Sequence, residues 1–274
     1  MPTGLASWLF VDCFDSERSE LVFPGMGRIA VTAEAVADIL DLPNGCDQVK
    51  YELDVDAINF MQNKYDIIHG GKLKNTIAEV GIYVLNGKKK RGATRFVMPL
   101  YVTTLLQNNQ TGMAAVTHAF QKDTNNLHHR QLIFFPILQK LVQDDAHSGH
   151  YFMIVLNLRN ERFELIDSLR TLGDPKLAEC CNKVLSGIKF LWNIYYGDSD
   201  YAIDDYELVD TAVPKQTNIH GCGFHMLLHA QYWDGCYVYT FNKKDVSNIR
   251  KIWTYNWLNY EENDAEWQSI LNLT

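Results

Sequence analysis

Two strand-patterned runs with a turn between them constrain the fold of this chain more than any other feature. Tyr151–Leu156 and Arg162–Ile166 are dense in apolar, aromatic and β-branched residues, and Leu158-Arg159-Asn160-Glu161 separates them. The pattern predicts a β-hairpin. His150 opens its first strand and Asp167 closes its second, so antiparallel pairing carries both side chains to one end of a sheet. Upstream, Leu132-Ile133-Phe134-Phe135 is a short apolar run that suits a further buried strand and ends at Pro136. Downstream, Asp174-Pro175 reads as a capped helix start, and Leu177, Cys181, Val184, Leu185 and Ile188 follow at helical spacing. Glu207–Val213 reads as another strand, ending at Pro214.

The chemistry concentrates just beyond. Gln216 leads to Gly221-Cys222-Gly223, and Phe224, Leu227, Leu228 and Tyr232 then mark one face of a helix that stops near Asp234-Gly235. A thiol at a helix start meets backbone N–H groups and the positive end of the helix dipole, which lower a thiol pKa from about 8.5 toward neutrality. The flanking glycines are read as allowing a sharp turn into the helix. Thiol, imidazole, carboxylate and side-chain amide are the parts of a cysteine hydrolase: Cys222 as nucleophile, His150 as base, Asp167 to orient it, and Gln216 to hold an oxyanion. An oxyanion donor of this kind contributes typically ~3 kcal/mol. Taken singly, a cysteine is more often a buried structural residue and a glutamine a loop residue; the joint order is what carries the reading.

His220, Cys222, His225 and His229 also cluster, but no second Cys or His pair at zinc spacing accompanies them, and no acidic residue stands between the histidines as in catalytic zinc motifs. A metal site therefore ranks well below thiol catalysis. The formal net charge of -8 weighs against a nucleic-acid binder, for which only the Lys88–Arg91 run speaks, and that run reads as a solvated loop. No apolar stretch approaches the length of a membrane span, and no signal peptide is seen. Six cysteines in a chain of 274 residues without an export signal read as thiols of a reducing compartment rather than a disulfide framework.

Elsewhere the pattern is weaker. Thr32 is positioned to cap a helix through Val36, Ile39 and Leu40, which Pro43-Asn44-Gly45 ends. Val80–Leu85 fits either a strand or a helix end. The Gly87–Thr94 segment, with its cationic run, is the best place for a boundary. Residues 97–121 read as helical pieces, Asp123–His129 as a polar loop, and the C-terminal part, with Trp253, Trp257, Leu258, Trp267 and Leu271, as packed helix.

The residues Phe135-Pro136, His150-Tyr151, Ile166-Asp167-Ser168-Leu169, Pro214-Lys215-Gln216 and Gly221-Cys222-Gly223 together resemble the catalytic domain of the ubiquitin-like-protein proteases, the SUMO proteases, across residues 97–260. Leu9–Val49 resembles the N-terminal module of some plant transposon-derived proteins that carry such domains. The resemblance implies an α+β fold of the papain-like cysteine protease class, with a mixed central sheet flanked by helices. A small, mostly helical N-terminal module over 1–94 would precede a catalytic domain over 95–274. It implies the roles given above for Cys222, His150, Asp167 and Gln216, cleavage after the C-terminal Gly-Gly of a SUMO-like modifier, a nuclear or cytoplasmic setting, and no cofactor.

Three departures from the family pattern stand out. Tyr151 replaces the Trp whose ring covers the narrow diglycine tunnel, and is expected to bind substrate in its place. Gly221 replaces the Asp that commonly precedes the cysteine. The Trp-Leu-x-Asp segment that opens these domains is not recognisable between residues 90 and 120. The alternative to an active isopeptidase is therefore a catalytically degenerate, transposon-derived module that binds a ubiquitin-like protein or another partner.

Overall fold

Alternation along Gly149–Asn157 decides the architecture. Tyr151, Met153 and Val155 enter one apolar cluster, while Phe152, Ile154 and Leu156 enter another, so this strand is covered on both faces. The computed structural model describes residues 14–15, 20–23, 27–30, 68–69, 72–87, 94–142, 149–216, 220–236, 253–254, 256–257, 259–261 and 263. Contacts divide the chain into two units, Met1–Asp56 and Ala57–Thr274.

The described part of the first unit is an antiparallel meander of three short strands, β1 (Phe14–Asp15), β2 (Glu20–Phe23) and β3 (Gly27–Ala30). The helix expected from Thr32 lies outside the described residues, so what is described of this module is strand rather than helix.

The described part of the second unit begins with a two-stranded ribbon, β4 (Ile68–His69) and β5 (Lys72–Leu73), and helix α1 (Asn75–Gly87). The ambiguous Val80–Leu85 run is thus helix. Ala78, Ile82 and Leu85 are buried with Leu227 in one cluster, and a Cβ at Gly81 would lie 2.9 Å from Leu227 Cδ1. That packing seats α1 on α6.

Next come β6 (Arg95–Val97), α2 (Leu100–Gln107), α3 (Ala114–Phe120) and the short α4 (Lys122–Asn125). Glu79 of α1 caps α2, accepting from the backbone N–H of Leu100 at 3.1 Å and Tyr101 at 2.6 Å. The expected polar loop at 123–129 is α4 followed by a 3₁₀ turn over Leu127–His129, with Asn126 left-handed between them.

Strand β7 (Leu132–Lys140) runs past Pro136, where the sequence pattern ended it. A mid-strand proline is tolerated because β6 pairs only with Leu132–Phe134. The Pro136 carbonyl is bonded by the Thr103 hydroxyl of α2, so no ladder N–H is required on that side. Strands β8 (Gly149–Asn157) and β9 (Arg162–Ile166) form the expected antiparallel hairpin. Its turn is closed by the Asn160 N–H donating to Asn157 Oδ1 at 3.0 Å, with Glu161 left-handed.

Helix α5 (Pro175–Tyr196) starts as expected: Asp174 accepts from the N–H groups of Lys176 and Leu177. Strand β10 (Leu208–Asp210) pairs parallel to β9, and α6 (Cys222–Tyr232) follows. The five-stranded mixed sheet has the order β10-β9-β8-β7-β6. One face carries α2, α3 and α5, and the other carries α1 and α6. Trp253 and Trp257 lie in described helical residues on the α1–α6 side; Trp267 and Leu271 lie outside the described residues. No helix among the described residues is long and apolar enough to cross a membrane.

Candidate active site

The hairpin register builds one half of the site. Met153 pairs with Ile166, so continuing by one residue sets Asp167 opposite Phe152 and makes His150 its diagonal neighbour on the same face. The His150 Nε2–H donates to Asp167 Oδ1 at 2.8 Å, and both residues are buried. Nε2 being occupied, Nδ1 is the nitrogen left to face the Cys222 side chain, which helps to favour the charged imidazole. Cys222 is the first residue of α6, buried to 1% exposure, with Gly221 as N-cap and no capping side chain. The structure thus brings Cys222, His150 and Asp167 together.

Burial is the largest effect on His150 and disfavours its charged form. The hydrogen bonds and charges of Asp167 and Cys222 outweigh it and hold the imidazole above its ordinary pKa. Burial likewise opposes ionisation of Asp167, but His150 and the N–H groups of Arg170 and Leu169 keep its carboxyl below the usual range. Asp167 Oδ1 accepts from Leu169 N at 2.7 Å and Arg170 N at 3.0 Å, and Oδ2 accepts from Arg170 Nε at 3.1 Å. An imidazole fixed at one nitrogen by an ionised carboxylate and facing a thiol with the other is arranged to take the thiol proton.

Gln216 is also buried, and its orientation is set from two sides. Its backbone N–H donates to the Ser168 carbonyl at 2.8 Å, and Ser168 Oγ donates to its Oε1 at 2.7 Å. The amide Nε2 is buried and has no partner among the described residues. A buried N–H donor without an acceptor is costly, on the order of 1–3 kcal/mol, unless another group fills the place. Lys215, one residue before, donates from Nζ to the carbonyls of Asp167 at 2.8 Å and Arg170 at 3.0 Å, tying this approach to the Asp167 loop.

Two expectations change in detail. Gly221 has φ -82 and ψ -9, a right-handed conformation open to any residue, so no turn requires glycine there. Gly223 is required for closeness instead: a Cβ on it would lie 2.8 Å from Leu73 Cβ and 3.2 Å from Tyr151 Cδ2. Tyr151 itself is buried to 3% exposure, and its hydroxyl meets the Leu73 carbonyl at 3.1 Å and Asn75 Oδ1 at 3.0 Å. Burial first, then the charges of Cys222 and Glu79, raise its pKa, so it remains a phenol. Its ring is held under the segment that opens α1.

Ser168, Arg170 and Lys215 were given no role from the sequence. Ser168 and Lys215 lie inside the quoted motifs, so their neighbours were the available signal; Arg170 stands one turn beyond Asp167. His225 and His229 face each other with ring centroids 6.2 Å apart on α6, and burial above all pushes His229 down to about 3, a neutral imidazole. No group of three or more His, Cys, Asp or Glu side chains among the described residues is placed to hold a metal. Cys180, Cys181, Cys222 and Cys236 are not joined in disulfides.

A mixed sheet between helical layers, with a thiol heading one helix and an imidazole on the adjoining strand, places the chain among the α+β cysteine peptidases. Residues 84–265 match the model of the Ulp1 protease family, C-terminal catalytic domain, and the chain belongs to that family. It is a cysteine peptidase by that membership. Among solved structures, it is similar to the SUMO protease Ulp1 with its catalytic cysteine oxidised to a sulfinic acid, at 16% identity and a TM-score of 0.54, covering 68% of this chain and 77% of that one. The C-terminal Ulp1 protease domain in complex with Smt3, the yeast ortholog of SUMO, matches at 16% identity and a TM-score of 0.54, covering 68% and 76%. At such identity these likenesses speak to fold. No curated protein sequence matches this chain significantly.

Proposed function

We propose that the protein is a thiol isopeptidase or processing protease for a SUMO-like modifier, cleaving after the modifier's C-terminal Gly-Gly. The observation that carries this is the buried His150–Asp167 pair set beside Cys222 at the head of α6. The SUMO complex of the similar Ulp1 domain supports the substrate class.

In this reading His150 takes the proton of the Cys222 thiol, and the thiolate attacks the carbonyl carbon of the terminal glycine. The new S–C bond pushes the carbonyl electron pair onto oxygen, where the Gln216 amide donates to it. Collapse of this intermediate breaks the C–N bond, and His150 returns the proton to the leaving amine. Water then attacks the thioester, losing its proton to His150; the C–S bond breaks and the thiol is restored. Asp167 keeps the imidazole in the orientation both halves need. Tyr151 acts by holding the front segment against α6 beside the substrate tail.

A degenerate binding module is the competing reading, and the opening segment bears on it. Lys72-Leu73-Lys74-Asn75 carries Leu at the Leu position of a Trp-Leu-x-Asp pattern and, at its Asp position, Asn75, the first residue of α1. The front of the domain is thus read at residues 72–87, ahead of the stretch in which it was expected, with Lys72 in place of Trp. The seating of Leu73 on Gly223 favours an intact enzyme.

The test is labelling with SUMO and ubiquitin probes that carry a C-terminal electrophile, wild type beside Cys222→Ala. A mass shift with the SUMO probe only in wild type is expected. Binding of the modifier by a folded protein with no covalent adduct would replace the enzyme by the binding module.

A further inference from the structure

Asp167 does not give its carboxylate to His150 alone. Oδ1 takes the imidazole and the two backbone N–H groups, while Oδ2 is taken by the guanidinium of Arg170. That side chain is only 10% exposed, which is rare for arginine outside a built interaction. It is held from three further directions. Its NH1 donates to Gln139 Oε1 on β7 at 2.8 Å, and Gln139 is itself oriented by Nε2 donating to the Lys176 carbonyl at 3.0 Å. Its guanidinium carbon lies 5.5 Å from the centroid of the Phe152 ring, on the strand that carries His150. Asp174, the N-cap of α5, stands 4.0 Å from NH1.

We infer that Arg170 is a positioning residue for the site: it fixes the carboxylate plane of Asp167 from behind and neutralises part of the charge that His150 would otherwise face undivided. The inference rests on the thiol protease reading and says how strongly its imidazole is allowed to hold a proton. An imidazole paired with an undivided buried carboxylate keeps its proton to higher pH, whereas a cation on the far oxygen makes it give the proton up sooner.

The other groups around Asp167 and Arg170 leave this balance to the guanidinium. From the loop before α6, the Lys215 ammonium sits on the backbone carbonyls of Asp167 and Arg170 rather than on the carboxylate. From α5, burial pushes Cys181 up to about 12 and raises Cys180, so both face Arg170 as neutral thiols. Asp174 contacts Arg170 only at 4.0 Å, and Asp210 of β10 is engaged by the Leu172 N–H at 3.0 Å. Cys222 enters from α6 and His150 from β8.

The experiment is alkylation of Cys222 by iodoacetate in the full chain, followed as modification of the Cys222 peptide by mass spectrometry across pH. Iodoacetate is an anion drawn by the imidazolium, so its rate falls when His150 loses its proton, and the alkaline limb of the profile reports that loss. Arg170→Gln, which keeps donors but removes the charge, is expected to move this limb upward by at least about half a pH unit. Arg170→Lys is expected to stay with wild type, because the charge remains. An unmoved limb in folded Arg170→Gln overturns the inference, as does a Lys variant that shifts as far as Gln. Should Arg170→Gln fail to fold, Arg170→Met, which also removes the charge, is followed in its place; no upward movement there also overturns it. Failure of the underlying reading is told apart in wild type: Cys222 would then react no faster than the exposed Cys236 and show no alkaline limb, and both inferences fall together.

Discussion

Each side chain of the site is held by a second one, and the holders make separable predictions. Gln216→Ala should lower kcat by about 10²–10³ with KM little changed, and Ser168→Ala should lower it by less, since it only frees the amide to rotate. Steady-state kinetics on a fluorogenic SUMO C-terminal substrate checks both. The His150–Asp167 pair also sets a pH window for stability. Asp167 is depressed, so its contribution is complete above the ordinary carboxylate value of 3.8 and is lost as pH falls through its lower folded value. His150 is raised, so its contribution is complete below 6.5 and is lost as pH rises through its higher folded value. Tm against pH should therefore be highest between these limits, and His150→Ala should flatten the alkaline decline. Gly223→Ala must displace Leu73 or Tyr151, an overpacking cost of about 1–3 kcal/mol measurable by urea denaturation. Cys222, His150 and Asp167 could be set side by side from the sequence because a local hairpin and one helix start bring them together; Gln216 is tied to the Asp167 loop through Ser168. Arg170 and Ser168 were not legible in the sequence, because their roles depend on which oxygen of a neighbour is left over, a fact of three-dimensional geometry.

At the scale of elements, α6 is fastened at the end away from its thiol. Arg95 of β6 donates to the carbonyls of Ala230 at 3.0 Å and Gln231 at 3.3 Å, a cation at the negative end of the helix. Trp233, just past that end, donates its indole N–H to Glu164 Oε2 at 2.8 Å. Glu164 is fully buried within the sheet and is completed by Asn157 and Arg162 on Oε1. Trp233→Phe leaves that carboxylate one donor short and should cost about 1–3 kcal/mol in urea denaturation, with the m-value unchanged. The elements that sequence patterning captured are those with strong local signals: the Asp174-Pro175 helix start and the β8–β9 hairpin. Those it cut short or left ambiguous depend on distant partners. Strand β7 passes Pro136 only because β6 has already ended and Thr103 serves the carbonyl. Helix α1 is settled by its seat on α6, which nothing within residues 75–87 announces.

For the whole molecule, the divide at Asp56 and Ala57 predicts where the chain can be cut. A protein beginning at Ala57 should unfold cooperatively and label Cys222 as the full chain does. One beginning at Arg95 loses Leu73 and α1, uncovers the α6 face around Leu227, and should show a lower Tm and a less reactive Cys222 in the same assays. The sheet order also bears on how the protein is made. Its middle, β7–β8–β9, pairs antiparallel through neighbours in sequence, whereas α6 returns from beyond β10 to cover the far face. A ribosome delivers the hairpin with His150 and Asp167 before it delivers Cys222. An unfinished chain can therefore close the His150–Asp167 pair without Cys222, and on the function proposed above a synthesis that stops early leaves a fragment unable to cut its neighbours.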